Sequence, residues 1–451
     1  MSNSSPSRFA SALAGLANIP SSPSFKPSKS SSPPLVRIKF TDEQEEFLAS
    51  SSPHLLLSAL AGAGKTACLF EYARRRPHQK WNFLVLNRSL SESLSSQAPE
   101  NIKVQTLHKV AFASHGHTLS HKIREASISL PDIERALSGV VGQVPGLAKA
   151  LREGLSAYIS SSDLSPGVKH APLVWQADPN WDPHIWVLGL ERLWQASLDP
   201  DHPLPISHGV YLKRYCQQEL PWISTRWMLD EAQDWPDAVL SAFRRCATLS
   251  IRAGDPCQRL YAFRGASLGK WHDPEHEREF RLHQSHRSSH VLEPYINSAL
   301  SQLPGGWSWK GRQDMDCVVQ ARDRPSTSEE VVAFSPNVLL ADRWKSLELL
   351  ADELRGLIQV ERKLSGKEMP PGSVEISTIH AAKGREFDRV WIADQATRPG
   401  LSPALKARLS YVALSRAQKA ISFPTYILPS VKSSGLSDSI ELDAIDFFAP
   451  E

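Results

Sequence analysis

Apolar positions are scattered before residue 35 and become patterned after it. An apolar run from His54 to Ala61 leads into Gly62-Ala63-Gly64-Lys65-Thr66 and then a helical stretch ending near Arg76. A second strand-like run covers Phe83 to Leu86, a polar helix follows, and a third short run covers Val104 to Leu107. This alternation predicts an α/β fold with a parallel sheet wrapped by helices. Residues 115–225 differ: their periodicity is mostly helical, with Trp175, Trp181, Trp186 and Trp194 and proline-rich breaks, and they read as a helical insertion. The sheet pattern resumes at Trp227 to Asp230 and Leu249 to Ala253, and a second alternating block runs from Phe280 to about Leu428.

Composition narrows the function classes. A chain of 451 residues has room for roughly two to four domains, and 41% hydrophobic with 22% charged residues is ordinary for a globular protein. No stretch of about 18 consecutive apolar residues occurs, which excludes a helical membrane span. Lys+Arg 51 against Asp+Glu 48 leaves +3, so a nucleic-acid site has to be a local groove and not a globally basic face. Residues 1–34, with twelve Ser and six Pro, read as a disordered arm, and their lack of acidic residues also fits an organelle transit peptide. Residues 431–451 interleave acidic residues with Ile440, Leu442, Ile445, Phe447 and Phe448, a pattern that either packs on the body or docks a protein partner. Five cysteines without a C-x-x-C pair argue against a disulfide framework or zinc ribbon and for a reducing, intracellular compartment: cytoplasm, nucleoid or nucleus.

Two segments carry nucleotide chemistry. In Ala59-Leu60-Ala61-Gly62-Ala63-Gly64-Lys65-Thr66, small residues between a strand and a helix let backbone N–H groups curl around phosphates, and the helix dipole favours the negative charge. Lys65 is positioned for the β- and γ-phosphates of ATP and Thr66 for Mg²⁺. The second segment, Met228-Leu229-Asp230-Glu231-Ala232-Gln233-Asp234, ends an apolar strand in carboxylates. Asp230 suits the metal's outer shell and Glu231 the attacking water. A candidate general base beside a phosphate loop points to an ATPase, not merely a nucleotide binder.

Further motifs then fall in order across roughly residues 38–425, and the chain resembles superfamily 1 helicases of the UvrD/Rep/PcrA type, most closely the F-box DNA helicase branch. The resemblance implies two RecA-like parallel-sheet motor domains: 35–278 (domain 1A, with a 1B-like insertion about 115–225) and 279–430 (domain 2A, with a small remnant insertion about 306–330 and 360–373). Phe40-Thr41 with Gln44 looks like the Q motif, which implies that Gln44 reads the adenine edge. Ala253-Gly254-Asp255-Pro256-Cys257-Gln258 resembles motif III and makes Gln258 a γ-phosphate sensor, while Tyr261, Phe263 and Arg264 face the nucleic-acid strand. Asn87 and the Thr106-Leu107-His108 segment resemble strand-touching motifs Ia and Ib. Leu282 to Arg287 resembles motif IV, placing Arg287 on the γ-phosphate and leaving adenine stacking to His286, where the family has Tyr or Phe. Thr378 to Asp388 resembles motif V, with Gly384 and Glu386 near the ribose and Thr378 and His380 toward the strand. Tyr411 to Ala417 resembles motif VI, with Arg416 as second arginine finger.

The implied function is an ATP- and Mg²⁺-dependent motor on single-stranded DNA, running 3′ to 5′, in replication, repair or recombination, with a monomer favoured. Two arginines from a second domain can neutralise charge on a transferred phosphoryl only if that domain closes on the first. Only 90 residues separate Arg287 from Thr378, where larger relatives insert a whole 2B domain, so this domain is reduced or absent. That departure supports a rival reading, translocation that strips bound proteins without opening duplex. A regulatory ATPase acting through the acidic tail is a second rival, and an RNA motor is a third. The Arg74-Arg75-Arg76 run reads as a solvated face complementing its helix C-terminus, or else as part of the strand path.

Overall fold

The computed structural model describes residues 39–124, 128–138, 144–177, 181–218, 226–246, 249–261, 266, 269, 271–322, 331, 336–341, 354, 359–362, 373–393 and 400–425. Residues 1–41 form a separate unit, in which 39–41 carry neither helix nor strand, and every element named here lies in residues 42–451. The arm 1–34, the tail 431–451, Phe263 and Arg264 are outside the described residues.

The first block folds as α1 (Asp42–Ala49), β1 (His54–Ala59), α2 (Lys65–Arg74), β2 (Trp81–Val85), α3 (Arg88–Ser95), β3 (Ile102–Thr106) and α4 (Leu107–Ala111). A helical insertion follows: α5 (Leu130–Leu137), α6 (Leu147–Ser160), α7 (Leu173–Gln176), α8 (Pro183–Leu198) and α9 (His208–Cys216). The chain then returns to β4 (Arg226–Leu229), β5 (Leu249–Gly254) and β6 (Arg278–Leu282). These six strands form one sheet in the order β3-β2-β4-β5-β1-β6, and every pairing is parallel. The interior strand β1 buries Leu55, Leu56 and Leu57, as a strand covered on both faces must. The insertion has its own core, in which Leu151, Tyr158, Trp186, Leu190 and Leu193 are packed together.

The second block contains β7 (Gln284–Ser289), paired with β8 (Lys310–Arg312), and then β9 (Val318–Arg322), β10 (Val338–Ala341), β11 (Val360–Arg362), β12 (Val374–Thr378), β13 (Phe387–Ile392) and β14 (Ala417–Pro424). Its sheet runs β11-β12-β10-β13-β14-β9, again with parallel pairings only. The architecture is thus a mixed α/β one with two parallel sheets, consistent with RecA-like domains. A shared core joins the lobes: Leu60, Ala61, Cys257 and Leu260 of the first pack in one cluster with Ile379, Tyr411 and Leu414 of the second. No helix among the described residues is long and apolar enough to cross a membrane.

Three expectations need correction. Strand Arg278–Leu282, which the sequence pattern assigns to the second block, hydrogen-bonds beside β1 in the first sheet, so that sheet extends past residue 278. Residues 318–322 and 360–362 are edge strands of the second sheet and not pieces of an insertion. Val318–Arg322 is mostly exposed, so it lacks the apolar run that marks a central strand. The Arg74–Arg76 run is not simply a solvated face: Arg75 grips Glu45 at 2.7 and 2.9 Å, and Arg76 donates to the Leu48 and Ser50 carbonyls at 3.1 and 2.7 Å. These contacts fasten α1 to α2.

Candidate active site

Parallel pairing brings the C-terminal ends of all first-sheet strands to one edge, the usual place for a ligand in an open α/β sheet. The segments after β1, β4, β5 and β6 therefore converge: the loop 60–66, the carboxylates 230–231, the turn 255–258 and the segment 283–287. A cleft of about 1640 Å³ opens there, lined by Ala61 to Thr66, Asp230, Glu231, Gln258, His286 and Arg287.

The loop's shape is set by Gly62 and Gly64, both at φ +79°. A Cβ on Gly62 would stand 2.3 Å from Ser285 Oγ and 2.9 Å from Arg287 Cβ, so the second lobe's segment presses directly on the loop. The Gly62 carbonyl accepts the His286 N–H at 2.8 Å, and the Trp309 indole donates to the Ala61 carbonyl at 3.0 Å. Such a left-handed, side-chain-free turn before a helix is a cradle for an anion of phosphate size.

Behind the loop, Thr66 Oγ1 donates to Asp230 Oδ2 at 3.1 Å, and Lys65 Nζ lies 3.7 Å from Glu231 Oε1. Burial works against the Lys65 charge, but the carboxylates of Glu231, Asp230 and Asp255 outweigh it and raise its pKa. Asp230 is pushed up by burial and by the neighbouring Glu231 charge. Burial opposes ionisation of Glu231 too, yet Lys65, then Lys383, hold it well below the ordinary carboxylate range. Neighbouring carboxylates are thereby split in character, with Glu231 the more acidic of the two and Asp230, raised to about 6, the one that protonates first as pH falls. Glu231 is also the only described non-glycine residue at positive φ, +51°, and Gln233 Nε2 donates to its Oε2. A bulky residue held there is strained, a condition that concentrates at functional sites. Thr66 and Asp230 form an all-oxygen donor set, which fits a hard divalent cation.

The second lobe contributes Arg287, Gly384, Glu386 and Arg416, all lining the cleft. Arg287 Nε sits 2.6 Å from Glu386 Oε1, and Gln418 donates to Glu386 Oε2 at 2.6 Å. Arg416 is 1% exposed and is held by the Val412 and Arg385 carbonyls at 2.9 and 3.1 Å. Burial and the Arg287 charge lower its pKa to about 10, which still leaves it charged at neutral pH. Gln44 is buried on α1; its amide donates to the Ala63 carbonyl at 3.1 Å and lies 3.3 Å from the His286 ring. Gln44, Gly64 and exposed His286 are thus neighbours beside the loop.

The residues expected to face a strand divide. Asn87, His108 and Tyr261 line the same cleft. Asn87 and Thr106 cap α3 and α4 through bonds from Leu90 N–H and Lys109 N–H, and Thr378 likewise caps the helix Ile379–Ala382. Thr378 ends β12 whereas Glu386 precedes β13, so the second sheet puts these two at opposite ends of its strands. The Tyr261 hydroxyl donates to the His380 carbonyl at 2.8 Å, which ties the strand-facing candidates of the two lobes together. His108 meets His208 and Tyr211 of α9, so α4, just ahead of the insertion, and α9 at its end are joined beside the cleft.

Several site residues had no role in the sequence reading. Lys383 binds Asp234 at 2.6 Å and the Gln258 carbonyl at 2.8 Å across the lobes, and Asp234 is raised to about 6 by burial despite that partner. Ser285, Asp255 and Tyr411 also belong to the site. Tyr411 could have been flagged by its setting, since a tyrosine amid Val412, Ala413 and Leu414 in a buried helix needs a partner for its hydroxyl.

Residues 342–426 match the UvrD-like helicase C-terminal domain family. The chain is 23% identical over 332 residues to F-box DNA helicase protein 1 of Schizosaccharomyces pombe, covering 69% of this chain and 38% of that protein. It is 27% identical over 502 residues to F-box DNA helicase 1 of Gallus gallus, covering 86% and 49% respectively. The chain thus spans less than half the length of these curated relatives.

Proposed function

We propose that this chain, which resembles UvrD-like superfamily 1 helicases close to the F-box DNA helicase branch, hydrolyses ATP to move along single-stranded DNA in the 3′ to 5′ direction. The observation that carries this reading is the meeting of Lys65, Glu231 and Gln258 with Arg287 and Arg416 of the other lobe in one cleft that continues past Asn87, His108 and Tyr261. Lys65 and the loop N–H groups hold the phosphates, Gln44 and His286 hold the base, and Glu386 faces the ribose. Thr66 and Asp230 hold Mg²⁺, whose contribution when bound is to neutralise phosphate charge. Glu231, kept ionised, orients and deprotonates the attacking water, while Arg287 and Arg416 fork onto the oxygens of the transferred phosphoryl. Both arginines lie beyond β6, so they act only while the lobes are closed, and release of the phosphate lets the lobes part. Tyr261 with His380, joined across the lobes, carries that motion to the strand together with Asn87, Thr106, His108, Thr378, Phe263 and Arg264.

A second reading is favoured by one specific observation. The interval between Arg287 and Thr378 is drawn into β8, β9, β10, β11 and β12, which leaves little chain for an extra domain. This supports translocation that strips bound proteins over extensive duplex opening. The test is ATP turnover by the purified protein, alone and with single-stranded DNA or RNA of equal length, followed by strand displacement at several duplex lengths. Strong stimulation by DNA and little by RNA is expected, and turnover indifferent to both polymers rejects the motor.

A further inference from the structure

We propose that Tyr411 is a positioning residue that links the location of the second lobe to the phosphate loop and to Gln258. It rests on the ATPase reading above and adds to it a residue with no role there. Tyr411 lies in the helix Pro403–Leu414, five residues before Arg416, and is fully buried. Its hydroxyl accepts the Ala61 N–H of the phosphate loop at 2.7 Å and donates to Asp255 Oδ2 at 2.7 Å. The same Oδ2 accepts the Gln258 side-chain amide at 2.7 Å, while Oδ1 takes the Cys257 N–H at 2.9 Å. One carboxylate oxygen is therefore shared between a phenol of the second lobe and the glutamine of the first.

The shared oxygen is buried: Asp255 is 0% exposed, and its partners Ala61 and Gln258 only 3% and 5%, so bulk water has little access to replace a bond that breaks. A phenol has one proton to give, and here it is committed to Asp255 while the oxygen is committed to Ala61. Phenylalanine has nearly the same volume, so packing alone gives no reason for a hydroxyl in this core, and burying one is unfavourable unless both bonds form. Arg416 follows the C-terminal end of the Tyr411 helix. A displacement that withdraws Arg416 from the cleft accordingly pulls the phenol from Ala61 and Asp255, and the Asp255 carboxylate that holds the Gln258 amide loses the partner that fixes it. Closure of the lobes and alignment of Gln258 thereby become one event.

The test compares wild type, Tyr411→Phe, Gln258→Ala and the double variant in strand-stimulated ATP turnover, with exchange of the Ala61 amide as a separate readout. Tyr411→Phe is expected to lower kcat at least about tenfold with KM for ATP within about twofold, as loss of a buried alignment bond would. The double variant should turn over no more slowly than Gln258→Ala alone, because both act through one element. The Ala61 amide should exchange at least about tenfold faster, with Leu57 of β1 unchanged. Unchanged kcat per folded molecule, additive losses, or an unchanged Ala61 amide overturns the assignment. If Tyr411→Phe does not fold, Asp255→Asn tests the same shared oxygen, and wild-type kcat in that variant overturns it. A wild-type protein that hydrolyses no ATP sinks the motor reading, while the Ala61 exchange still decides whether Tyr411 holds the loop.

Discussion

Replacing Gly62 by alanine separates the backbone demand of the loop 60–66 from its contact with the second lobe. Gly62 sits at φ +79°, where an L-residue is disfavoured by roughly 1–2 kcal/mol. Alanine recovers about 0.4–1 kcal/mol by restricting the unfolded chain, so the backbone effect alone is about 1 kcal/mol. The new methyl also meets Ser285 Oγ at 2.3 Å and Arg287 Cβ at 2.9 Å. Ser285 is fully buried and accepts the Arg287 N–H at 3.2 Å, so moving its hydroxyl breaks the bond that orients the Arg287 backbone. Overpacking of this kind adds about 1–3 kcal/mol, for a total of roughly 2–4 kcal/mol. Gly306→Ala is the control: its φ is +63°, but no described atom lies within 4 Å of the added Cβ, so it carries the backbone effect alone. Denaturant unfolding followed by circular dichroism should show Gly62→Ala about 1–3 kcal/mol less stable than Gly306→Ala. Strand-stimulated turnover should fall at least about 100-fold in Gly62→Ala, through displacement of Arg287, and stay normal in Gly306→Ala. Equal stability and equal turnover in the two variants would refute the argument that the second lobe presses on this loop.

Glu231→Gln should bind ATP as wild type yet hydrolyse it at least about 100-fold more slowly, and Lys65→Ala should abolish turnover; normal rates in either reject the site. Arg76→Met strips partners from the Leu48, Ser50 and Tyr72 carbonyls, which should lower stability by about 1–3 kcal/mol and raise KM for ATP by loosening the helix that carries Gln44. Unchanged KM would separate that helix from the nucleotide. Lys213, buried with its ammonium on the Ser161 and Asp163 carbonyls at 2.6 and 2.7 Å, is lowered to about 8 by burial. Because the unfolded chain holds that proton up to the ordinary lysine value, stability should gain a rising increment from about pH 8 to about pH 10.5. That increment should vanish in Lys213→Met, and parallel pH–stability curves for the two proteins would reject it.

Features that depend on neighbours along the chain were legible before any fold was known. A buried strand, two glycines and Lys65-Thr66 opening a helix fix the loop 60–66 locally, and apolar runs that end in Asp230 and Glu231 fix the second piece. Alternation of strand and helix was enough for parallel sheets, because only crossovers can join parallel neighbours. Edge strands escaped notice: Val318–Arg322 lies at a sheet margin with most of its side chains in solvent, so no apolar run announces it. Strand Arg278–Leu282 was legible as a strand but not as a member of the first sheet, since its choice of β1 as partner is made by packing. The positive φ of Glu231 likewise has no local cause, for glutamate does not seek the left-handed region. The Tyr411 hydroxyl finds its partners 350 and 156 residues away, at Ala61 and Asp255. Side-chain period and turn chemistry act over a few residues, whereas the partner of a buried polar group is chosen only when distant elements close water out between them. Thus the loop and the carboxylates could be read from the chain, and the way two lobes share them came from the tertiary structure alone.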